Sequence, residues 1–160
     1  MMYNTNVYSI GARDGENTDS PDRAPARRTG GYRKGDRQKA YEYFSKGLRQ
    51  EPSNFDLIKN CLLLQVDLEA FGEAESLSKE AMANFPAQPL LYLVNGLANN
   101  ALGQHEQAIE SLELGLDFLF DNPGMQKDFY LQLSIAYKAT GDNSRAEEYQ
   151  RRANQITISN

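Results

Sequence analysis

The chain of 160 residues contains one cysteine, one histidine and no tryptophan. The single cysteine, Cys61, excludes an internal disulfide and every metal site built from several cysteines. No apolar run approaches the roughly 18 residues that span a bilayer, and the polar N-terminus lacks the apolar stretch of a secretory signal. We therefore expect a chain without a membrane-spanning segment that stays in the cytoplasm.

Charge is unevenly distributed along the chain. The net charge is −5, yet residues 1–39 carry eight Lys and Arg against five Asp and Glu, which leaves residues 40–160 with a net charge of −8. An acidic protein region gains no binding free energy from counterion release when it meets nucleic acid or anionic lipid. Neither nucleic acid nor a membrane surface is therefore expected as a partner.

Side chains that could support catalysis or bind a cofactor are scarce. His105 follows Gly103 at a predicted helix–helix turn and has no evident partner. Cys61 lies in an apolar helical stretch, which favours a core thiol over a nucleophile. No phosphate-binding loop motif is present. We expect no catalytic, cofactor-binding or metal-binding residue, and hence no enzyme, although a role as an accessory domain of an enzyme stays open.

Small residues recur at a fixed spacing. Four times, one small residue is followed by another seven positions later, and twice a proline comes five positions after that. The first residues of successive sets lie 34, 34 and 38 positions apart. A period of this length is typical of stacked helix–turn–helix units. The sets are Ala40/Gly47/Pro52, Ala74/Ala81/Pro86, Ala108/Gly115 and Ala146/Ala153.

The residues around these sets resemble tetratricopeptide repeats, whose first helix carries an aromatic residue, a leucine, a small residue and a second aromatic residue. The third pair of predicted helices carries Tyr92, Gly96, Gly103, Ala108, Leu112 and Gly115 at the family's positions. The fourth carries Tyr130, Leu133, Ser134, Tyr137, Gly141, Ala146 and Ala153. The resemblance implies an all-α fold, an α-α superhelix (a solenoid) of seven helices with three full repeats and an N-terminal half-repeat.

The resemblance also sets the predicted boundaries. Residues 1–31 are rich in glycine, proline and charge and are predicted to be a disordered tail, and residues 32–158 form the array. In the third repeat, Leu116, Leu119 and Phe120 are predicted to extend the second helix beyond its usual end. The half-repeat covers about residues 36–53, and the full repeats cover about 54–87, 88–124 and 125–158.

In this family the first helices of successive pairs line a concave groove. Some members hold a peptide carboxylate there with Lys and Asn. Lys59 matches one such position, but Leu63 and Val94 stand where Asn is expected, so such a clamp is not predicted. Asp128 maps to the same face. The predicted groove residues are Lys59, Asn60, Leu63, Leu93, Val94, Leu97, Asn100, Leu131, Gln132, Ile135 and Lys138.

Six of these groove residues are apolar, and two interpretations of them stay open. If these side chains are exposed, they form a surface more apolar than that of a monomer without a binding partner, and they mark a binding site. In a closed short array they contact each other instead. The resemblance implies a non-catalytic protein-interaction module whose groove binds an apolar or amphipathic segment of a protein or peptide. The alternative is a structural element that stacks on further repeats or self-associates.

Overall fold

The computed structural model describes residues 34–158, and within that range the chain forms seven α-helices and no strand. The predicted all-α helical-repeat fold with seven helices is confirmed. The predicted tail, residues 1–31, lies outside the described residues. The helices are α1 (Lys34–Gln50), α2 (Phe55–Asp67), α3 (Phe71–Asn84), α4 (Pro89–Ala101), α5 (His105–Leu116), α6 (Pro123–Ala139) and α7 (Asn143–Gln155). They fall into two compact units, the first ending at Ala70 and the second beginning at Phe71.

The first unit is the helical hairpin α1–α2. Asn54 caps α2, because its side chain accepts a hydrogen bond from the backbone N–H of Leu57. A Cβ atom at Gly47 would lie 3.2 Å from Cδ1 of Leu57, so the small residue allows the two helices to approach closely. Farther along the hairpin, the amide of buried Gln65 donates a hydrogen bond to the Tyr41 hydroxyl at 3.3 Å.

The second unit contains α3 to α7, and each helix packs against the next one in the chain. In addition, α4 packs against α6, which is the contact expected between the first helices of two successive pairs. Every residue of α4 from Leu90 to Asn100 is buried. This helix is therefore the centre of the core of the second unit.

Two glycines fix the spacing of the helices in the second unit. A Cβ atom at Gly96 of α4 would lie 2.4 Å from Cγ of Leu112 on α5. A Cβ atom at Gly115 would lie 2.4 Å from Cβ of Tyr92 and 2.7 Å from Cε1 of Phe129, so α5 approaches α4 and α6 closely at one point. A larger residue at either position would force the helices apart.

Glycine also defines the turns within the two C-terminal pairs. Gly103 (φ +77°) and Gly141 (φ +89°) adopt the left-handed backbone conformation that ends α4 and α6. The sequence predicts a turn at both positions, and the structure places them there.

The segment between α5 and α6 differs from the prediction. The helix α5 ends at Leu116. It is followed by turns that are closed by hydrogen bonds between residues three positions apart; in one of them the Phe118 N–H donates to the Gly115 carbonyl. Phe118 stacks on Tyr92, and Phe120 is 90% exposed. The predicted extension of the helix through Phe120 is therefore wrong. Stacking of Phe118 draws the chain out of the helical path, and Pro123 begins α6 soon afterwards.

The close contact at Gly115 gives a testable prediction. Gly115→Ala should lower the free energy of unfolding by about 1–3 kcal/mol, because the added methyl group would overlap Tyr92 and Phe129. Gly72→Ala is the matched control: no atom lies within 4 Å of the added carbon, so higher helix propensity should leave stability unchanged or raised by less than about 1 kcal/mol. Urea unfolding measures both. Equal stability of the two variants would contradict the close approach.

Candidate partner-binding face

The candidate face of the second unit is formed by α4 and α6. Eight predicted groove residues lie on these two helices, and the packing of α4 against α6 brings the two sets together. We call this surface the α4–α6 face. Its residues are Leu93, Val94, Leu97 and Asn100 on α4, and Leu131, Gln132, Ile135 and Lys138 on α6.

A hydrogen-bonded network joins the two helices at this face. The Asn100 side-chain amide donates to both the backbone carbonyl and the side-chain oxygen of Gln132, each at 3.0 Å. The amide oxygen of Asn100 lies 3.0 Å from Nδ1 of His105, so the imidazole is placed to donate from that nitrogen. The side chain of Asn100 is therefore already hydrogen-bonded within the protein. His105, expected to be a turn residue without a partner, has one.

The apolar residues of the face differ sharply between the two helices. Leu93, Val94 and Leu97 on α4 are completely buried. Leu131 and Ile135 on α6 are only half-buried, and Lys138 is exposed. The α4 residues thus contribute to the core, whereas the α6 residues reach the surface. Contact of any of them with a partner stays a prediction.

Three further predicted groove residues lie on α2, in the first unit. Lys59 makes an ion pair with Asp56 at 3.8 Å, and the Asn60 side chain donates to the Asp56 carbonyl at 2.7 Å. Leu63 is buried. Both polar side chains are therefore held against their own helix.

Asp128 lies on α6, next to the residues of the α4–α6 face. Its side chain is half-buried and makes no hydrogen bond or ion pair with any described residue. Burial raises the pKa of its carboxyl from 3.8 to about 6, and the charge of the neighbouring Lys127 opposes this shift only in part. Asp128 lies three and four positions before Leu131 and Gln132, so all three share one face of α6.

A buried polar cluster lies among α3, α4 and α5, and the sequence-based predictions do not include it. The Asn95 side chain donates to Ser78 Oγ at 3.0 Å and accepts from Ser111 Oγ at 2.5 Å and from Asn99 at 3.0 Å. The side-chain amide of Asn95 also donates to the Glu75 carbonyl at 3.4 Å, so both its N–H groups and its oxygen have partners. The signal in the sequence is Asn95 and Asn99, four residues apart in a mostly apolar helix that also contains Asn100.

A second group, on α6 and α7, is also absent from those predictions. The Tyr137 hydroxyl donates to the Glu113 carboxylate and accepts from Arg145 at 3.2 Å. The Tyr137 ring stacks on Tyr149, and Arg152 lies over the Tyr149 ring. Burial raises the pKa of the Tyr137 phenol, and the hydrogen bond to Glu113 adds to this. These contacts hold the last helix in place.

Cys61, the single cysteine of the chain, is buried in the core. Burial raises the pKa of the Cys61 thiol, which favours the unreactive protonated form. Between residues 34 and 158, no group of three or more histidine, cysteine, aspartate or glutamate side chains is arranged to hold a metal ion. Over the same range, every helix is too short or too polar to cross a membrane.

Comparison with known proteins bears on the fold. A family model described as tetratricopeptide repeat matches residues 128–157. The crystal structure of MamA superposes with a TM-score of 0.68 at 21% identity, covering 78% of this chain and 70% of that one. MamA from Desulfovibrio magneticus RS-1 gives 0.66 at 21% identity, with coverages of 76% and 67%. MamA from strain AMB-1 gives 0.65 at 18% identity, with coverages of 74% and 68%. A comparison with curated proteins finds no match. At these identities the likeness concerns the fold alone.

The environment of Asp128 predicts a dependence of stability on pH. Because the folded pKa, about 6, exceeds the unfolded value of 3.8, the contribution of Asp128 to stability is present below the unfolded value and is lost as the pH rises through about 6. Asp128→Asn should therefore raise the free energy of unfolding at about pH 8, by on the order of 1 kcal/mol. The gain should shrink toward about pH 4.

Urea unfolding at the two pH values measures this difference. Asp117→Asn, which removes the same charge from an exposed position, is the control and should change stability little at either pH. A gain for Asp128→Asn that is equal at both pH values would show that the carboxyl group is not desolvated.

Proposed function

Since the chain is a helical-repeat protein of the tetratricopeptide type, we propose that it is a non-catalytic module that binds an apolar or amphipathic segment of a partner protein. The α4–α6 face is the proposed binding site. Repeats of this type present a scaffold of rigid helices, and such scaffolds bind partners through exposed apolar side chains on their surface.

The observation that carries the proposal is the incomplete burial of Leu131 and Ile135. They lie four residues apart on α6, so their side chains form one continuous apolar strip along the helix. On the neighbouring helix α4, which packs against α6, Leu93 and Leu97 are fully buried. A partner helix with apolar residues at i, i+3 or i+4, and i+7 would cover such a strip.

The burial of the α4 residues decides which substitutions test the proposal. Leu97→Ser would place a hydroxyl group in the core and lower stability by about 2–5 kcal/mol, so loss of binding in that variant would be ambiguous. Ile135 is half-buried and can be replaced with less damage. Ile109 on α5 is also half-buried but lies outside the α4–α6 face, which makes it the matched control.

Ile135→Ser should weaken partner binding at least about tenfold, which corresponds to roughly 1.4 kcal/mol of lost apolar contact. A library of 12-residue random peptides displayed on phage, selected on the full chain, supplies ligands, and fluorescence anisotropy measures their affinity. Ile109→Ser should leave affinity within about twofold, and circular dichroism should show both variants helical. Selected peptides that bind regardless of Ile135 and Leu131, or no selected peptides at all, would contradict the proposal.

Self-association is a second candidate, and a different surface favours it. Leu114 is 49% exposed, Phe118 38% and Phe120 90%, and all three lie on the last turns of α5 or directly after it. Large apolar side chains clustered on a surface mark an interaction site. Because they lie outside the α4–α6 face, they could serve a contact between copies while that face binds a partner.

Phe120→Ser should abolish any concentration-dependent association, because it removes the most exposed aromatic ring of this cluster. Size-exclusion chromatography with light scattering measures the mass of the wild type and the variant over a range of concentrations. The monomer should keep its stability, since Phe120 contributes little to the core. A wild type that stays monomeric at every concentration would contradict this candidate.

A further inference from the structure

We infer that the partner segment carries a lysine or arginine side chain that pairs with Asp128 when the segment binds the α4–α6 face. This inference rests on the proposed function and adds the chemistry of the partner to it. Three observations carry it: the lack of a partner for the Asp128 side chain among the described residues, its position on α6, and the charge of the second unit.

Asp128 is a carboxylate held partly out of water without compensation. It makes neither a hydrogen bond nor an ion pair with any described residue, and the charged group that lowers its pKa is Lys127. Lys127 is adjacent in sequence, and neighbouring residues on a helix point in different directions. A charge in this situation destabilises the free protein, and a cation from outside would relieve the cost.

The position of Asp128 places that cation at one end of the apolar strip. Asp128, Leu131 and Ile135 follow each other at i, i+3 and i+7 on α6. Lys138 is exposed and lies ten residues after Asp128, about 15 Å along the helix axis. A bound segment would therefore present a cation at the Asp128 end, apolar residues in the middle, and an acidic residue near Lys138. This pattern fixes the direction in which the segment binds.

The net charge of the whole second unit also favours a basic ligand. Residues 71–160 contain twelve Asp and Glu against six Lys and Arg, a net charge of −6. Two of these six bases are already engaged on α7: Arg145 pairs with Asp142, and Arg152 pairs with Glu148. The excess negative charge attracts basic segments, and Asp128 is the acid that lies beside the apolar strip.

The test uses the random 12-residue phage library, selected in parallel on the full-length wild type and on the Asp128→Asn variant. Peptides from the wild type should be enriched in Lys or Arg next to apolar residues, and this enrichment should disappear on Asp128→Asn. For the best synthetic peptide, Asp128→Asn should weaken binding by about tenfold. The control Asp117→Asn removes the same charge from an exposed position and should change affinity by less than about twofold.

A double-mutant cycle separates direct pairing from a general effect of charge. Replacing the peptide's basic residue by glutamine should weaken binding to the wild type by the same factor as Asp128→Asn, and should add nothing in the Asp128→Asn background. Asp128→Lys should reverse the preference, so that a peptide with glutamate in place of its basic residue binds the variant better than the original peptide does.

The outcomes distinguish the two proposals. Peptides whose binding depends on Ile135 but which show neither basic enrichment nor sensitivity to Asp128→Asn would overturn the inference and leave the proposed function standing. Additive effects in the cycle would also overturn it. Peptides that bind independently of both Ile135 and Asp128, or a selection that yields none, would overturn both.

Discussion

The close approach of helices at small residues is the constraint on which the second unit depends. At Gly96 and Gly115, neighbouring helices are so near that even a methyl group would collide with Leu112, Tyr92 or Phe129. This short distance brings α4 and α6 within hydrogen-bonding range of each other, as the contact between Asn100 and Gln132 shows. A residue larger than glycine at position 115 would therefore disturb the packing of α5 against α4 and α6, the two helices that form the α4–α6 face.

The same constraint explains why the fold is predictable from the sequence. A residue that must be small at a helix crossing recurs with the period of the repeat, so the spacing of Ala108, Gly115 and Ala146 is enough to identify the helix pairs. The end of α5 cannot be predicted in this way. Leu119 and Phe120 continue the apolar spacing of a helix, but stacking of Phe118 on Tyr92 is a tertiary contact that periodicity does not report.

The candidate face is only partly predictable, for a related reason. Helical spacing identifies which residues share a face, but it does not say how deeply another element covers them. Leu97 and Ile135 therefore look equivalent in the sequence, whereas one is fully buried and the other half-buried. Polar residues are harder still to assign. Asn100 is expected from the sequence to be available to a peptide, yet the nearest partners for its amide are on α6 and at His105.

The Asp128 side chain differs from the buried asparagine side chains of this fold, because it has no hydrogen-bond partner among the described residues. Asn95 lies in the buried part of α4, and two serines, Asn99 and the Glu75 carbonyl provide partners for its side chain. Among the described residues, the buried side-chain atom left without a partner is Oε1 of Gln65, in the first unit. Asp128 carries a full charge, which costs more to desolvate than an amide does. A carboxylate that has no partner among the described residues, at the edge of an apolar strip, agrees with the proposal that a basic side chain of a bound segment pairs with it.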